Sequence, residues 1–368
     1  MSQTRAPRSA TAPLPARPRT WRRSLGALGG VLVLTAGAVS ACSSGGGSLE
    51  KSSLNVGYVE GIGASAVSLG VSQNDFSNVG LTVNLKPFAS DQAEETALKS
   101  GAIDIALGDY TEFLDTSTSP VANSVQVIGE GYDAGDDSIG LVAAAGSPLA
   151  DEELTGGNKS GVSYAIAQGT TSVAVPTADS PEFVALANWL IDEQNPLGLG
   201  LDSIKSVQSA ATTSAAAAQT MVDQVVSGSA DTAVIQEPFL TEELESGKVT
   251  EIADLDTGNA DDMPIDGYFA LANTVTDDPN TIAAFQDGLS SAQALGQSRV
   301  QIESALVQSG ISHQVASTTA IGNFPAGIVA ANVSNVLTLM DSAQIETSNL
   351  SSSALTGGTA SNDAPSGS

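Results

Sequence analysis

The feature that most constrains this chain is a strand-then-helix alternation running through nearly its whole length. Apolar runs of strand character are expected over 54–59, 81–88, 103–108 and 125–129, with helical periods over 64–70 and 93–100 between them. Ser90-Asp91-Gln92 reads as a helix start and Gly101 as its stop. A second block repeats the pattern. A strand is predicted over 163–167, then the polar Gln168-Gly169-Thr170-Thr171-Ser172, a helix over 180–194, a strand over 204–207, a helix over 215–227 and a strand over 230–235. A strand over 266–272 follows, and helices over 280–294, 298–309 and 330–342 close the body. Strands alternating with helices form largely parallel sheets with right-handed crossovers. The fold class is therefore α/β, and 368 residues are more than one core serves, so two lobes are expected.

Charge and rare residues narrow the function. The chain holds 13 Lys+Arg against 41 Asp+Glu, a formal net charge of −28. That balance disfavours a phosphate backbone, so no nucleic-acid partner is expected. One Cys excludes an intramolecular disulfide and a cysteine zinc cluster, and His313, the one His, excludes a multi-His metal site. No nucleophile elbow, phosphate loop or metal motif is present. Neither catalysis, a cofactor nor a metal is expected.

The basic residues are concentrated at the start. Residues 1–42 carry six Arg and no acid, and the apolar run 25–41 ends in Val39-Ser40-Ala41-Cys42. A basic start, an apolar middle and small residues before a boundary describe a signal peptide, and the run is at the short edge for a spanning helix. Its last four residues resemble a bacterial lipobox. The resemblance implies that Cys42 is lipidated with acyl chains such as palmitate and becomes the mature N-terminus, anchoring the protein to the extracytoplasmic face of the cell membrane. Arg22-Arg23 leaves both general and twin-arginine export open. Residues 43–51 read as a flexible tether and 347–368, rich in Ser, Gly and Thr, as a disordered tail.

Several segments resemble one family, the solute-binding lipoproteins of ABC importers in the sulfonate, taurine, nitrate and thiamin-pyrimidine branch. They are Ala97-Leu98-Lys99-Ser100-Gly101-Ala102-Ile103-Asp104-Ile105-Ala106, Asn188-Trp189-Leu190, Gly228-Ser229-Ala230-Asp231-Thr232-Ala233-Val234-Ile235-Gln236-Glu237-Pro238-Phe239, and the helix over 279–285. The resemblance implies the type II periplasmic-binding-protein fold, two α/β lobes joined by two crossover strands. Lobe 1 would take 52–144 plus 268–346 and lobe 2 would take 145–267. The crossovers would lie near 141–145 and 266–271, with the lobes closing on solute. The implied partners are a small-molecule solute and an ABC permease, with the protein a monomer. A fungal relative makes a pyrimidine with a His, but His313 lies in a polar loop.

Ligands in open α/β sheets bind beyond the carboxyl ends of strands. That rule selects the loops 58–63, 89–92, 108–111, 169–172 and 236–239, and as ligand-binding candidates Tyr58, Glu60, Ser90, Asp91, Asp109, Tyr110, Thr170, Thr171, Gln236 and Glu237. Tyr58 and Tyr110 either stack a ring or cover a core edge. Ser90 and Asp91 cap a helix, line the cleft, or both. Glu237 bonds a ligand amine or fixes the turn at Pro238. These loops hold carboxylates and no Lys or Arg. A heterocyclic amine or pyrimidine-like solute is favoured over an alkanesulfonate, taurine or nitrate, because like charges repel strongly at low dielectric. The opposing arrangement has Thr170, Thr171, Ser172 and helix N-termini holding an anion while the carboxylates face away. A sensory or adhesive lipoprotein on the same fold is the remaining alternative.

Overall fold

A computed structural model describes residues 48–151, 159–194, 201, 204–208 and 214–357. The leader with Cys42, residues 43–47 of the tether and residues 358–368 lie outside the described residues. The strands in chain order are β1 (Ser53–Val59), β2 (Thr82–Phe88), β3 (Ile105–Asp109), β4 (Val125–Asp133), β5 (Ile139–Ala144), β6 (Ser172–Val175), β7 (Lys205–Gln208), β8 (Thr232–Gln236), β9 (Val249–Asp254) and β10 (Pro264–Leu271). They form two five-stranded sheets, ordered β2-β1-β3-β10-β4 and β7-β6-β8-β5-β9. In the first, β1 runs parallel to β2 and β3, and β10 lies antiparallel between β3 and β4. In the second, β6 runs parallel to β7 and β8, and β5 lies antiparallel between β8 and β9. Each sheet thus has four strands pointing one way and one pointing back, the strand that has just arrived from the other lobe. Among the described residues no helix is long and apolar enough to cross a membrane.

The local chemistry explains the elements. Leu54 and Val56 alternate into the core of β1. Ser90 caps the helix Asp91–Ser100 by accepting from the Ala93 N–H, and Gly101 ends it at φ 74°. One core lies on the first sheet around Phe76, Tyr268 and Phe285, and another on the second around Met221, Val222 and Ile235. The largest cluster contains residues of both lobes, among them Tyr110, Phe113 and Phe269 with Trp189, Leu190 and Leu339. Helix Pro181–Gln194, between β6 and β7, contacts helices Tyr110–Leu114 and Ala330–Ser342 of the first lobe. There the buried Asn188 donates its amide to the Leu339 carbonyl at 3.1 Å. Trp189, 2% exposed, is a core residue of this shared cluster.

Five segments differ from the sequence expectation. The end of the expected tether is fixed to the body: Glu50 accepts from Asn280 and Thr281, and Lys51 pairs with Asp104 and Asp278. The predicted strand over 163–167 belongs to helix Lys159–Ala167. Val162, Ser163, Ile166 and Ala167 are buried at helical spacing while Tyr164 is exposed, and a short apolar run fits either period. The strand lies after it, at β6. The chain crosses between lobes at 134–138, before β5, and returns at 255–263, before β10, so β5 belongs to the second sheet. β9 carried no expectation; it is a short edge strand burying Val249, Ile252 and Ala253. Finally, 347–357 does not behave as a disordered tail: Ser352–Leu355 forms a helical turn contacting β4 and helix Ala330–Ser342, with Leu355 buried.

Candidate functional site

The carboxyl ends of β1, β2, β3, β6 and β8 border a cavity of about 370 Å³ between the two sheets. The first lobe contributes 59–64, 89–92, Glu95, Leu107, Gly108, Asp109, Glu112, Thr118 and Asp266. The second contributes Pro176, Thr177, Asp179, Ser180, Glu182, the helix residues Ser214, Ala217, Ala218 and Met221, and the 235–239 turn. Nine lining residues carry carboxyl groups: Glu60, Asp91, Glu95, Asp109, Glu112, Asp179, Glu182, Glu237 and Asp266. Among the described residues no lining residue is Lys, Arg or His. Among the described residues the salt bridges join Lys51 to Asp104 and Asp278, and Arg299 to Glu303, all away from the cavity.

Backbone geometry packs these acids together. The Asp109 N–H donates to Asp91 Oδ1 at 2.9 Å, tying the end of β3 to the first turn of helix Asp91–Ser100. A side chain at Gly108 would overlap Phe113 and Asp91, so glycine lets that carboxylate close on the strand. Antiparallel pairing sets Asp266 of β10 opposite Asp109 of β3. Their carboxyls lie close enough to share one proton between them. Among the bonds that bridge the lobes, two reach these acids from threonine hydroxyls: Thr118 Oγ1 donates to Asp179 Oδ2 at 2.9 Å, and Thr177 Oγ1 donates to Glu112 Oε1 at 3.2 Å.

Burial and mutual repulsion move the carboxyls up. Asp91 rises to about 6 through loss of water, against the opposing Asp109 N–H bond and with Asp179 adding repulsion. Glu95 and Glu182 rise to about 7, first by burial. Asp266 also reaches about 7, by burial and then the charge on Asp91, against the lowering bond from Asp109. Glu112 and Asp109 lie well above the usual carboxylate range, by burial and then the charge of Asp91. Such a cavity takes up either protons or a cation. One oxygen each from Asp91, Asp109 and Glu112 lies within 4.8 Å of the others; an all-oxygen set of this kind suits a hard ion such as Ca²⁺ or an N–H cation.

Of the expected residues, Glu60, Ser90, Asp91, Asp109, Gln236 and Glu237 line the cavity. Tyr58 instead borders a separate recess of about 290 Å³ with Ser65, Ser68 and Gln308. Tyr110 is fully buried, edge-on to Phe269 at 5.4 Å. Thr170 and Thr171 precede β6 rather than follow a strand, so they sit outside the cavity; Thr170 Oγ1 donates to the Ala165 carbonyl. Ser172, at the start of β6, is bonded to Asp231. Glu237 accepts from Thr241 N and Oγ1, Thr319 Oγ1 and Ala320 N, so it fixes the turn and ties it to the first lobe's chain. Glu95, Glu112, Asp179, Glu182 and Asp266 were not anticipated. Glu95 and Glu112 stand four and three residues beyond Asp91 and Asp109, a helical spacing that points them to one side.

Among solved structures, the chain is similar to the periplasmic nitrate-binding protein NrtA from Synechocystis PCC 6803 (TM-score 0.65, 13% identity, 85% of this chain and 86% of that one). It is also similar to the alkanesulfonate-binding protein SsuA from Xanthomonas axonopodis pv. citri bound to MOPS (TM-score 0.57, 15% identity, 81% and 95%). The ligand-binding component of an ABC-type import system from Staphylococcus aureus with zinc bound matches with TM-score 0.58 and 14% identity over 81% and 94%. These likenesses carry the fold, two α/β lobes of the type II periplasmic-binding-protein class. No curated protein matches the sequence significantly. The model of the NMT1-like family matches residues 47–308, most of the folded body, and the chain therefore belongs to the NMT1-like family.

Proposed function

We infer that this protein is the extracytoplasmic solute-binding component of an ABC importer. It takes a small, cationic or donor-rich organic solute between its lobes, a heterocyclic amine or pyrimidine-like molecule by preference, and delivers it to a membrane permease. The observation that carries the solute class is the cavity itself: nine carboxyl-bearing residues and no base. The relatives named above include binders of nitrate and of an alkanesulfonate. An anion in this cavity would meet acids with no base beside them, and each one that is ionised would repel it by about 4 kcal/mol at 4 Å and an effective dielectric near 20. The hydroxyls offered to an anion by the opposing arrangement, on Thr170, Thr171 and Ser172, lie outside the cavity.

A thermal-shift screen of the purified protein against amines, aminopyrimidines, alkanesulfonates and nitrate tests the reading. Amines or aminopyrimidines should raise the melting temperature by mass action; a shift confined to alkanesulfonates or nitrate would overturn it. Anchoring through Cys42 belongs to the same reading. Cys42→Ala should abolish palmitate labelling of the exported protein, and a variant that still takes up palmitate would contradict a lipid anchor at Cys42.

A further inference from the structure

The cavity is not uniformly acidic, and its asymmetry specifies the solute further. Asp91 is 8% exposed and Glu95 3%, yet both line the cavity with hydrogen bonds only from neutral donors, the Asp109 N–H and Ser119, and with no basic partner among the described residues. A carboxylate that deeply buried is ordinarily paired. The acids also face one another across the lobe boundary. Asp179 of the second lobe is near enough to repel both Asp91 and Glu112 of the first, and Glu182 near enough to repel Glu112. Among the described residues, the direct cross-lobe bonds to Asp91, Glu112, Asp179 and Glu182 come from the neutral hydroxyls of Thr118 and Thr177. The other part of the wall is apolar: Ala217, Ala218 and Met221 of helix Ser214–Ser227 with Ile235 and Phe239. Among the described residues Phe239 is the one aromatic side chain in the lining, and one ring does not make the aromatic cage that recognises a quaternary ammonium. Carboxylates accept N–H donors, often in bidentate pairs.

We propose that the solute carries a compact, N–H-bearing cationic group, an amidinium or guanidinium. That group is clamped between Asp91 and Glu112 of one lobe and Asp179 and Glu182 of the other, with an apolar body against Met221 and Phe239. The proposal rests on the cation-binding reading above and specifies the head group and the residues that choose it. The cation stands where the two rows of carboxylates would otherwise repel, so it holds the lobes together through charge as well as through contact.

Calorimetric titration of the purified protein tests this. The probes are benzamidine and phenylguanidine, set against neutral benzamide, quaternary phenyltrimethylammonium and calcium chloride alone. At least one N–H cation should bind about tenfold or more tightly than benzamide and phenyltrimethylammonium, a difference of about 1.4 kcal/mol. Glu112→Gln combined with Asp179→Asn should weaken that binding at least about tenfold while raising the melting temperature without ligand, because repulsion is relieved. The ligand comparison on the unaltered protein stands whether or not the variant folds. Equal binding of benzamide or the quaternary probe, no binding of any N–H cation, or calcium as the tightest ligand would each overturn the proposal. A neutral donor-rich heterocycle that binds while the N–H cations do not would overturn it and leave the importer reading standing; tight binding of an alkanesulfonate alone would remove both.

Discussion

Glu237 accepts four hydrogen bonds, two from helix Phe239–Ser246 and two from the 319–320 segment, and is 5% exposed. Its removal strands two backbone N–H groups and two hydroxyls in a buried place. Glu237→Ala should therefore cost about 3–5 kcal/mol, read as a lower urea midpoint, whereas Glu60→Ala, at an exposed position, should stay within about 0.5 kcal/mol. Equal midpoints for the two variants would show that Glu237 is not the tie described. At this scale the sequence was informative where the role is local. Ser90 as a helix cap followed from its own neighbours, and Asp91 and Asp109 as cavity residues followed from standing just beyond strands. Asp266 was not legible, because nothing near it in sequence says that β10 will lay it against Asp109. Tyr58 and Tyr110 stood at the right sequence positions, yet strand alternation and helix packing turned them elsewhere.

At the scale of elements, carboxyls gather where strands end and where the chain changes lobes. Asp133 closes β4 and Asp256 follows β9, beside the two crossovers, and burial takes both to about 8. Glu130 within β4, Asp266 in β10 and Glu182 in helix Pro181–Gln194 reach about 7, again chiefly by burial. In each case the folded pKa exceeds the unfolded one, so the folded state binds more protons. The stabilising protonation is complete below about pH 4 and is lost as pH rises through 7 to 8. Without added solute the protein should melt at a higher temperature at pH 5.5 than at pH 8.5. A flat or opposite profile by calorimetry would contradict the assigned burial. Elements also mark where sequence reading failed. The apolar run in helix Lys159–Ala167 suited two periods, and choosing the strand displaced the loop after β6 by one element. Asp179 and Glu182 were lost with it.

At the scale of the whole molecule, two lobes share a core through helix Pro181–Gln194, so neither lobe unfolds without exposing Trp189 and its neighbours in the common cluster. Thermal unfolding should be one cooperative transition that shifts upward as a unit with bound solute; two resolved calorimetric peaks would show independent lobes. Along the chain alone, alternation of apolar runs with helical periods settled the α/β class and the two-block plan, and the lopsided charge settled an acidic body after a basic N-terminal segment. Those properties are sums over neighbouring residues, which a sequence states directly. Only the tertiary structure decided which strand each lobe borrows from the other, that the lobes share a core, and that acids more than 150 residues apart in sequence meet in one cavity without a base among them. Those depend on pairing between distant segments, where burial and register, rather than local preference, place each side chain.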